Sequence, residues 1–176
     1  MSIETDRLLL RKLTSDDANA IFENWASDPE VTRYLTWNPH KNIQVTKNIL
    51  DIWIDEYKDP FIFRFGIELK ENRQLIGMID IVEKRTGNLV IGYCLGKKFW
   101  NHGYMTEALV AYCDFLFLKG YTQLLIEACV ENVGSNKVIK KANFELIDSF
   151  ERPLSSIKQE LVKVNVYKCS YNNIRI

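Results

Sequence analysis

The chain has 176 residues, 47% hydrophobic and 26% charged, the make-up of an ordinary globular protein long enough to bury a sizeable core. Lysine plus arginine (23) equals aspartate plus glutamate (23), so the net charge is zero and a nucleic-acid-binding reading lacks the basic excess it needs. No apolar run is long enough to span a bilayer, "MSIETDRLLLRKL" is too charged for a signal peptide, and two histidines, His40 and His102, are too few for a metal site without carboxylate help.

Cys94, Cys113, Cys129 and Cys169 are widely spaced in apolar stretches, with no metal-ligand spacing. They read as buried free thiols in a reducing compartment, and the expected location is the cytoplasm.

In chain order, "RLLLRKL" (Arg7–Leu13) reads as a first strand. A helix follows over "TSDDANAIFENWAS", with Thr14 or Ser15 as N-cap and Ala18, Ile21, Phe22 and Trp25 as its apolar face. "DPEVTRYLTWNPH" reads as a loop or short helix, and "NIQVTKNILDIWIDEYKD" as a second helix with Val45, Ile49, Ile52 and Trp53 on one side. "FIFRFGIELK" and "QLIGMIDIVEK" are strands joined by a hairpin turn at "ENR", and "RTGN" turns the chain into the strand "LVIGYCLG". A basic, aromatic loop then leads into a helix whose stripe is Ala108, Tyr112, Phe115 and Leu116. "YTQLLIEACV" is a strand, "ENVGSNKVIKKA" a short helix, and "NFELIDSFERP" and "QELVKVNVYKCSY" the last two strands. The predicted fold is α/β (α+β): one domain over 1–176, with a mixed, mostly antiparallel sheet of about seven strands and about four helices.

The loop before the third helix is "KKFWNHGYMTEA". Asn101 and Gly103 are the residues there that tolerate a left-handed backbone. Such conformations aim successive N–H groups inward, and the positive end of the helix dipole lies just beyond. Lys97 and Lys98 add charge on the approach. On composition alone this fits an anion site, and it fits an ordinary strand-to-helix turn with surface lysines as well. The chain has no GxxxxGK[ST] and no early GxGxxG, which argues against a nucleotide-hydrolysing loop and a dinucleotide-binding fold.

"IGYCLGKKFWNHGYMTEAL" followed by "ACVENVGSNKVIKKANFE" resembles the GNAT family of N-acetyltransferases, and within it the branch that includes the RimJ and RimL ribosomal-protein acetyltransferases. "TDRLLLR" and "DPEVTRYL" fit the N-terminal half of that branch, so the resemblance covers nearly the whole chain. The family's pyrophosphate loop follows Gln/Arg-x-x-Gly-x-Gly/Ala. Here Lys98 takes the first place, Asn101 the first glycine and Gly103 the second. Asn143 stands where the family usually has glycine before Phe144. Asparagine is the next residue most tolerant of a left-handed backbone, so both exchanges are consistent with retained geometry, and Asn101 is expected at positive φ.

The resemblance implies acetyl-CoA as co-substrate, no metal, and a small-molecule or peptide amine as acceptor. Backbone amides of Asn101, His102, Gly103, Tyr104, Met105 and Thr106, with Lys98, would hold the pyrophosphate. Cys94 and Leu95 would pair with the pantetheine arm, and an N–H near Leu95 would polarise the thioester carbonyl. Asn132 would position the pantetheine and Ser135 would assist the departing thiolate. By spacing alone both also suit the start of a helix. For the general base, Glu127 in "LLIEACV" and Asp80 in "GMIDIV" are carboxylates in apolar strands, with Glu68 as a weaker third, and strand alternation can equally point them to water. Tyr93 and Tyr104 are alternative proton donors that also suit packing. Tyr34 and Trp37 are the candidates for acceptor contact, while Trp25 and Trp53 read as core. The expected activity is acetyl transfer to a primary amine, a protein N-terminus or a small amine, by direct attack on the thioester. The alternative is a non-catalytic acyl-CoA-binding protein of the same fold. The expected state is monomer or homodimer, with no nucleic-acid or membrane partner.

Overall fold

The apolar, β-branched runs of this chain assemble into one sheet in the computed structural model, which describes residues 1–85 and 87–171. Its strands are β1 (Ser2–Glu4), β2 (Leu8–Arg11), β3 (Phe65–Leu69), β4 (Leu75–Arg85), β5 (Asn88–Leu95), β6 (Gln123–Cys129), β7 (Glu145–Pro153) and β8 (Leu161–Ser170). They lie side by side in the order β1-β2-β3-β4-β5-β6-β8-β7. Every neighbouring pair is antiparallel except β5 and β6. A parallel pair needs a crossover, and α4 (Tyr104–Leu118) supplies it. The mixed, mostly antiparallel sheet expected from the sequence is present, with eight strands. The unexpected one is β1, three residues that are too few to display an alternating pattern. The turn expected between β4 and β5 contains Thr86, which lies outside the described residues.

The other helices are α1 (Ala18–Ile21), α2 (Pro29–Thr32), α3 (Ile43–Glu56) and α5 (Val133–Lys141). Helices cover both faces of the sheet, which is why its central strands read as nearly continuous apolar runs. On one face Leu10, Ile67, Ile79 and Ile91 belong to a core with Ala108, Leu109, Tyr112 and Leu116 of α4 and Ile139 of α5. On the other, Leu75, Met78 and Cys94 belong to a core with Ile21, Trp25 and Leu50. The fully buried Tyr112 donates its hydroxyl to the Phe63 carbonyl at 2.7 Å, so no polar group is left unsatisfied there.

Two helix faces differ from the sequence reading. In α3 the inward residues are Thr46 and Leu50, with Trp53 packed alongside, while Ile52 is 58% exposed. A hydrogen bond of 2.8 Å between Thr46 Oγ1 and His40 Nδ1 turns that face inward, which a hydrophobicity pattern does not register. The segment from Thr14 to Ser27 is not one regular helix. Thr14 is the N-cap, with its N–H bonded to Asp17 Oδ2 at 2.8 Å, and after α1 the chain widens into a π turn over Phe22–Ala26. Asn24 in that turn donates to the Leu75 carbonyl at 2.7 Å, and its own carbonyl lies 2.7 Å from where a Cβ on Gly96 would sit. The wide turn therefore sits directly against the ends of β4 and β5.

Candidate active site

β5 and β6 pair only from Leu89–Ile91 to Leu124–Ile126, yet β5 runs on to Leu95 and β6 to Cys129. Past Ile91 the two strands splay, and a cleft of about 670 Å³ opens between them. The phase of the β4–β5 ladder settles what faces that gap. Gly96 N–H donates to the Ile76 carbonyl at 2.8 Å, and bonded positions alternate along an antiparallel pair. Tyr93 and Leu95 therefore aim their backbone polar groups away from β4 and toward the gap. The Leu95 carbonyl is taken by the Trp100 indole at 2.7 Å. The Leu95 N–H is thus turned toward the gap, with no partner on β4.

The cleft brings together Tyr34, Trp37, Cys94, Glu127, Asn132 and Ser135, with Asp80 and Tyr93 beside them. Asn132 caps α5: its Oδ1 accepts the Ser135 N–H at 3.1 Å. Ser135 Oγ lies 2.9 Å from the Tyr93 hydroxyl, and burial pushes the Tyr93 phenol well above its usual value. Cys94 is buried, and burial pushes its thiol up to about 12, so it stays protonated. All four cysteines are free and buried, as expected. Glu68 lies outside the cleft lining, ion-paired to Arg11 and Arg73. Tyr104 is also outside it, stacked on His102 with the Arg7 guanidinium 4.5 Å from its ring centre.

A β-bulge supplies charges that the sequence reading missed. In β4, Ile81 pairs with Ile91 and Glu83 with Val90, so Val82 is an extra residue. One extra residue reverses the alternation, and Asp80, Val82, Glu83 and Arg85 all reach the cleft. Arg85 binds Glu83 at 2.7 Å and Glu127 at 2.7 Å, and Arg152 binds the other Glu127 oxygen at 2.9 Å. At the opposite end Arg64 pairs with Asp80 at 2.6 Å and lies over Trp53. Burial raises the Asp80 carboxyl above its usual range despite that arginine. Arg64 was findable: it is a charge inside the apolar run "FIFRFG", the same signal that marks Asp80 and Glu127. Asn136 was not. It is buried and holds α5 in place through the Cys129 carbonyl at 2.8 Å and the Tyr167 hydroxyl at 2.6 Å.

The second half of the site is the loop after β5. Asn101 has φ 65° and Gly103 φ 79°, two left-handed residues flanking His102, and α4 begins at Tyr104. The first amides of α4, at Tyr104, Met105 and Thr106, carry the orphan N–H groups of a helix start, while the Glu107 N–H bonds to the Gly103 carbonyl. Arg7 holds the loop from below, donating to the His102 carbonyl at 3.0 Å and to Glu107 at 2.7 Å. Lys97 is turned aside to Glu30, and Lys98 is exposed. This is a fitting cradle for a phosphate group. Among the described residues there is no cluster of metal-ligating side chains.

The sequence pattern of the acetyltransferase (GNAT) domain matches residues 7–145. The uncharacterized N-acetyltransferase p20 of Bacillus licheniformis is 30% identical over 173 residues, 94% of each chain. The uncharacterized N-acetyltransferase YoaA of Bacillus subtilis is 29% identical over 146 residues, 81% of this chain and 82% of that one. Among solved structures, the acetyltransferase (GNAT family) of Bacillus anthracis superposes with a TM-score of 0.83 at 23% identity, over 97% of this chain and 98% of that one. RimL, the ribosomal L7/L12 alpha-N-protein acetyltransferase solved with coenzyme A, gives 0.82 at 19% identity over 97% and 98%. The microcin C7 self-immunity acetyltransferase MccE, solved with acetyl-CoA and AMP, gives 0.80 at 16% identity over 94% and 93%.

Proposed function

We propose an activity for this chain from one premise: it belongs to the GNAT acetyltransferase family. The reading is acetyl-CoA-dependent transfer of an acetyl group to a primary amine, by direct attack of the amine on the thioester. The observation that carries it is the order along the chain: the gap where β5 leaves β6 is followed directly by the left-handed loop at the start of α4. The loop offers amides to the pyrophosphate, with Lys98 nearby. The Leu95 N–H would polarise the thioester carbonyl. Asn132 would steady the pantetheine and Ser135 would hydrogen-bond the departing sulfur. Acetyl-CoA supplies the activated acetyl group, and the named solved relatives that hold acetyl-CoA or coenzyme A support that choice.

The acceptor enters between the Tyr34–Trp37 loop and the charged wall of the cleft. It is a protein N-terminus or a small amine. The amine must shed a proton, and the candidates to take it, directly or through water, are the cleft-lining carboxylates Asp80 and Glu127. Glu127 has one oxygen ion-paired to Arg85 and the other to Arg152. Asp80 has the raised carboxyl, the property a base working near neutral pH requires.

Acetyl-CoA at roughly 100 times its dissociation constant should stabilise the fold by about 2.7 kcal/mol, read as a rise in melting temperature. Release of free CoA with a panel of amines then reports turnover. A thermal shift with no release from any amine favours the non-catalytic acyl-CoA binder, and no shift at millimolar acetyl-CoA sinks both readings. Asp80→Asn and Glu127→Gln, compared by the pH dependence of kcat/KM, assign the base. The variant that abolishes the acidic limb of the profile has removed it.

A further inference from the structure

Tyr93 is placed where a tyrosine packed only for bulk would not need to be. It stands on β5 past the point where β6 departs, faces the cleft, and meets the first turn of α5. Its hydroxyl lies 2.9 Å from Ser135 Oγ and 3.4 Å from the Ser135 carbonyl. Two hydroxyls that face each other hold one hydrogen apiece, and only one of those hydrogens can occupy the space between them. The carbonyl is too far for a good O–H···O bond, which spans about 2.5–3.0 Å. Among the described residues the phenol's one well-placed acceptor is therefore Ser135 Oγ. Burial keeps the phenol protonated, so it has that hydrogen to give. Ser135 is held on its other side as well, by its N–H to Asn132 Oδ1 at 3.1 Å.

We propose that Tyr93 is a positioning residue: it donates its hydroxyl hydrogen to Ser135 Oγ and so directs the Ser135 hydroxyl hydrogen into the cleft, toward the sulfur that leaves. This rests on the acetyltransferase reading. In that reaction the amine nitrogen forms a bond to the acetyl carbon and the carbon–sulfur bond breaks. Sulfur keeps the bonding pair, the amine gives up one proton, and the product thiol gains one when the thiolate is protonated. Ser135 does not ionise. It meets the growing negative charge on sulfur with an O–H whose direction is already fixed, and Tyr93 keeps that hydrogen from turning back into the protein. Donors fixed in advance stabilise a charge that develops in the transition state more than one present in the ground state. Tyr93 should therefore affect turnover more than binding.

The test is a double-mutant cycle on Tyr93→Phe and Ser135→Ala, with kcat and KM from CoA release and acetyl-CoA binding from the thermal shift. The expected result is a fall in kcat of about tenfold for Tyr93→Phe, with the acetyl-CoA shift retained. In the Ser135→Ala background the same change should cost nothing further. Tyr93→Met, which also lacks a donor, should give the same loss and guards against a packing effect peculiar to phenylalanine. Wild-type kcat in Tyr93→Phe, or an equal loss with and without Ser135, overturns the proposal. So does a loss confined to melting temperature and the acetyl-CoA shift. A wild-type chain that neither binds acetyl-CoA nor releases CoA overturns the acetyltransferase reading and this proposal together, whereas an active wild type with an indifferent Tyr93→Phe overturns this proposal alone.

Discussion

Asn101 and Asn143 have φ of 65° and 61°, so both asparagines that replace the family's glycines keep a left-handed backbone. This was legible because glycine and asparagine are the residues for which a left-handed conformation costs least. Arg73, at φ 62°, gave no such signal: the hairpin turn at Glu71–Arg73 was expected, but arginine is not a residue type that favours a left-handed backbone, and its ion pair with buried Glu68 appears only in three dimensions. Asn101→Gly should keep or raise acetyl-CoA affinity, since glycine takes the same backbone without a Cβ penalty. Asn101→Val should lower it, because a β-branched residue resists positive φ. Titrating acetyl-CoA against melting temperature checks both, and a valine variant that binds as well as wild type would remove the loop's backbone from the account. Asn132→Ala removes a helix cap and should cost about 1 kcal/mol of stability in denaturant unfolding. If Asn132 also contacts the pantetheine, acetyl-CoA affinity falls beyond what that destabilisation explains.

At the scale of elements, strands and long helices were legible from periodicity, while irregular features were not. The β4 bulge at Val82 reverses the strand's alternation, so simple parity would have sent Glu83 and Arg85 to the opposite face from Asp80. Gly92 hints at it: a Cβ there would lie 2.5 Å from Val82 Cγ1, so the displaced valine needs a glycine beneath it. The β7–β8 hairpin is likewise invisible as a cleft element in sequence. Its Lys158 Nζ donates to the Thr32 carbonyl at 2.5 Å and lies 3.4 Å from that of Arg33, at the end of α2, just before the loop of Tyr34 and Trp37. The contact joins positions 126 residues apart, beyond any local pattern. It ties the hairpin to the end of α2, beside the loop of Tyr34 and Trp37. Lys158→Ala should raise the KM for the amine about fivefold, the equivalent of roughly 1 kcal/mol, the net worth of a typical hydrogen bond. The acetyl-CoA thermal shift should stay as in wild type, and an unchanged amine KM would show that the hairpin is a bystander.

Across the whole molecule, the sheet is tied to its surroundings by ion pairs that answer to pH in opposite directions. At one end Asp17 accepts both Arg11 (2.8 Å) and the Thr14 N–H (2.8 Å), joining β2 to the helices beyond it. Burial pushes the Asp17 carboxyl up, but the hydrogen bonds from Arg11 and Thr14 outweigh it and hold it below its usual value. Glu107 behaves alike: burial raises its carboxyl, while Thr5 and Arg7 together bring it below the usual range, pinning the start of α4 to the β1–β2 turn. For both, the folded form binds its proton more weakly than the unfolded chain. The stability they contribute is present above the unfolded pKa values, about 4, and is lost as pH falls through the lower folded values. Asp80 has the opposite sign: its raised carboxyl costs stability at neutral pH, and protonation relieves that cost as pH falls through the folded value. Because Asp17 and Glu107 fix the frame and Asp80 lines the site, acid should unfold the protein despite the relief at Asp80. Asp17→Asn should lower stability at pH 7 and flatten its decline below about pH 4, since the neutral amide has no charge to lose. Asp80→Asn should instead leave that decline intact. Urea unfolding of the three proteins from pH 7 to about pH 3 measures both slopes, and an Asp17→Asn curve parallel to wild type would show that the Arg11 pair carries none of the acid sensitivity.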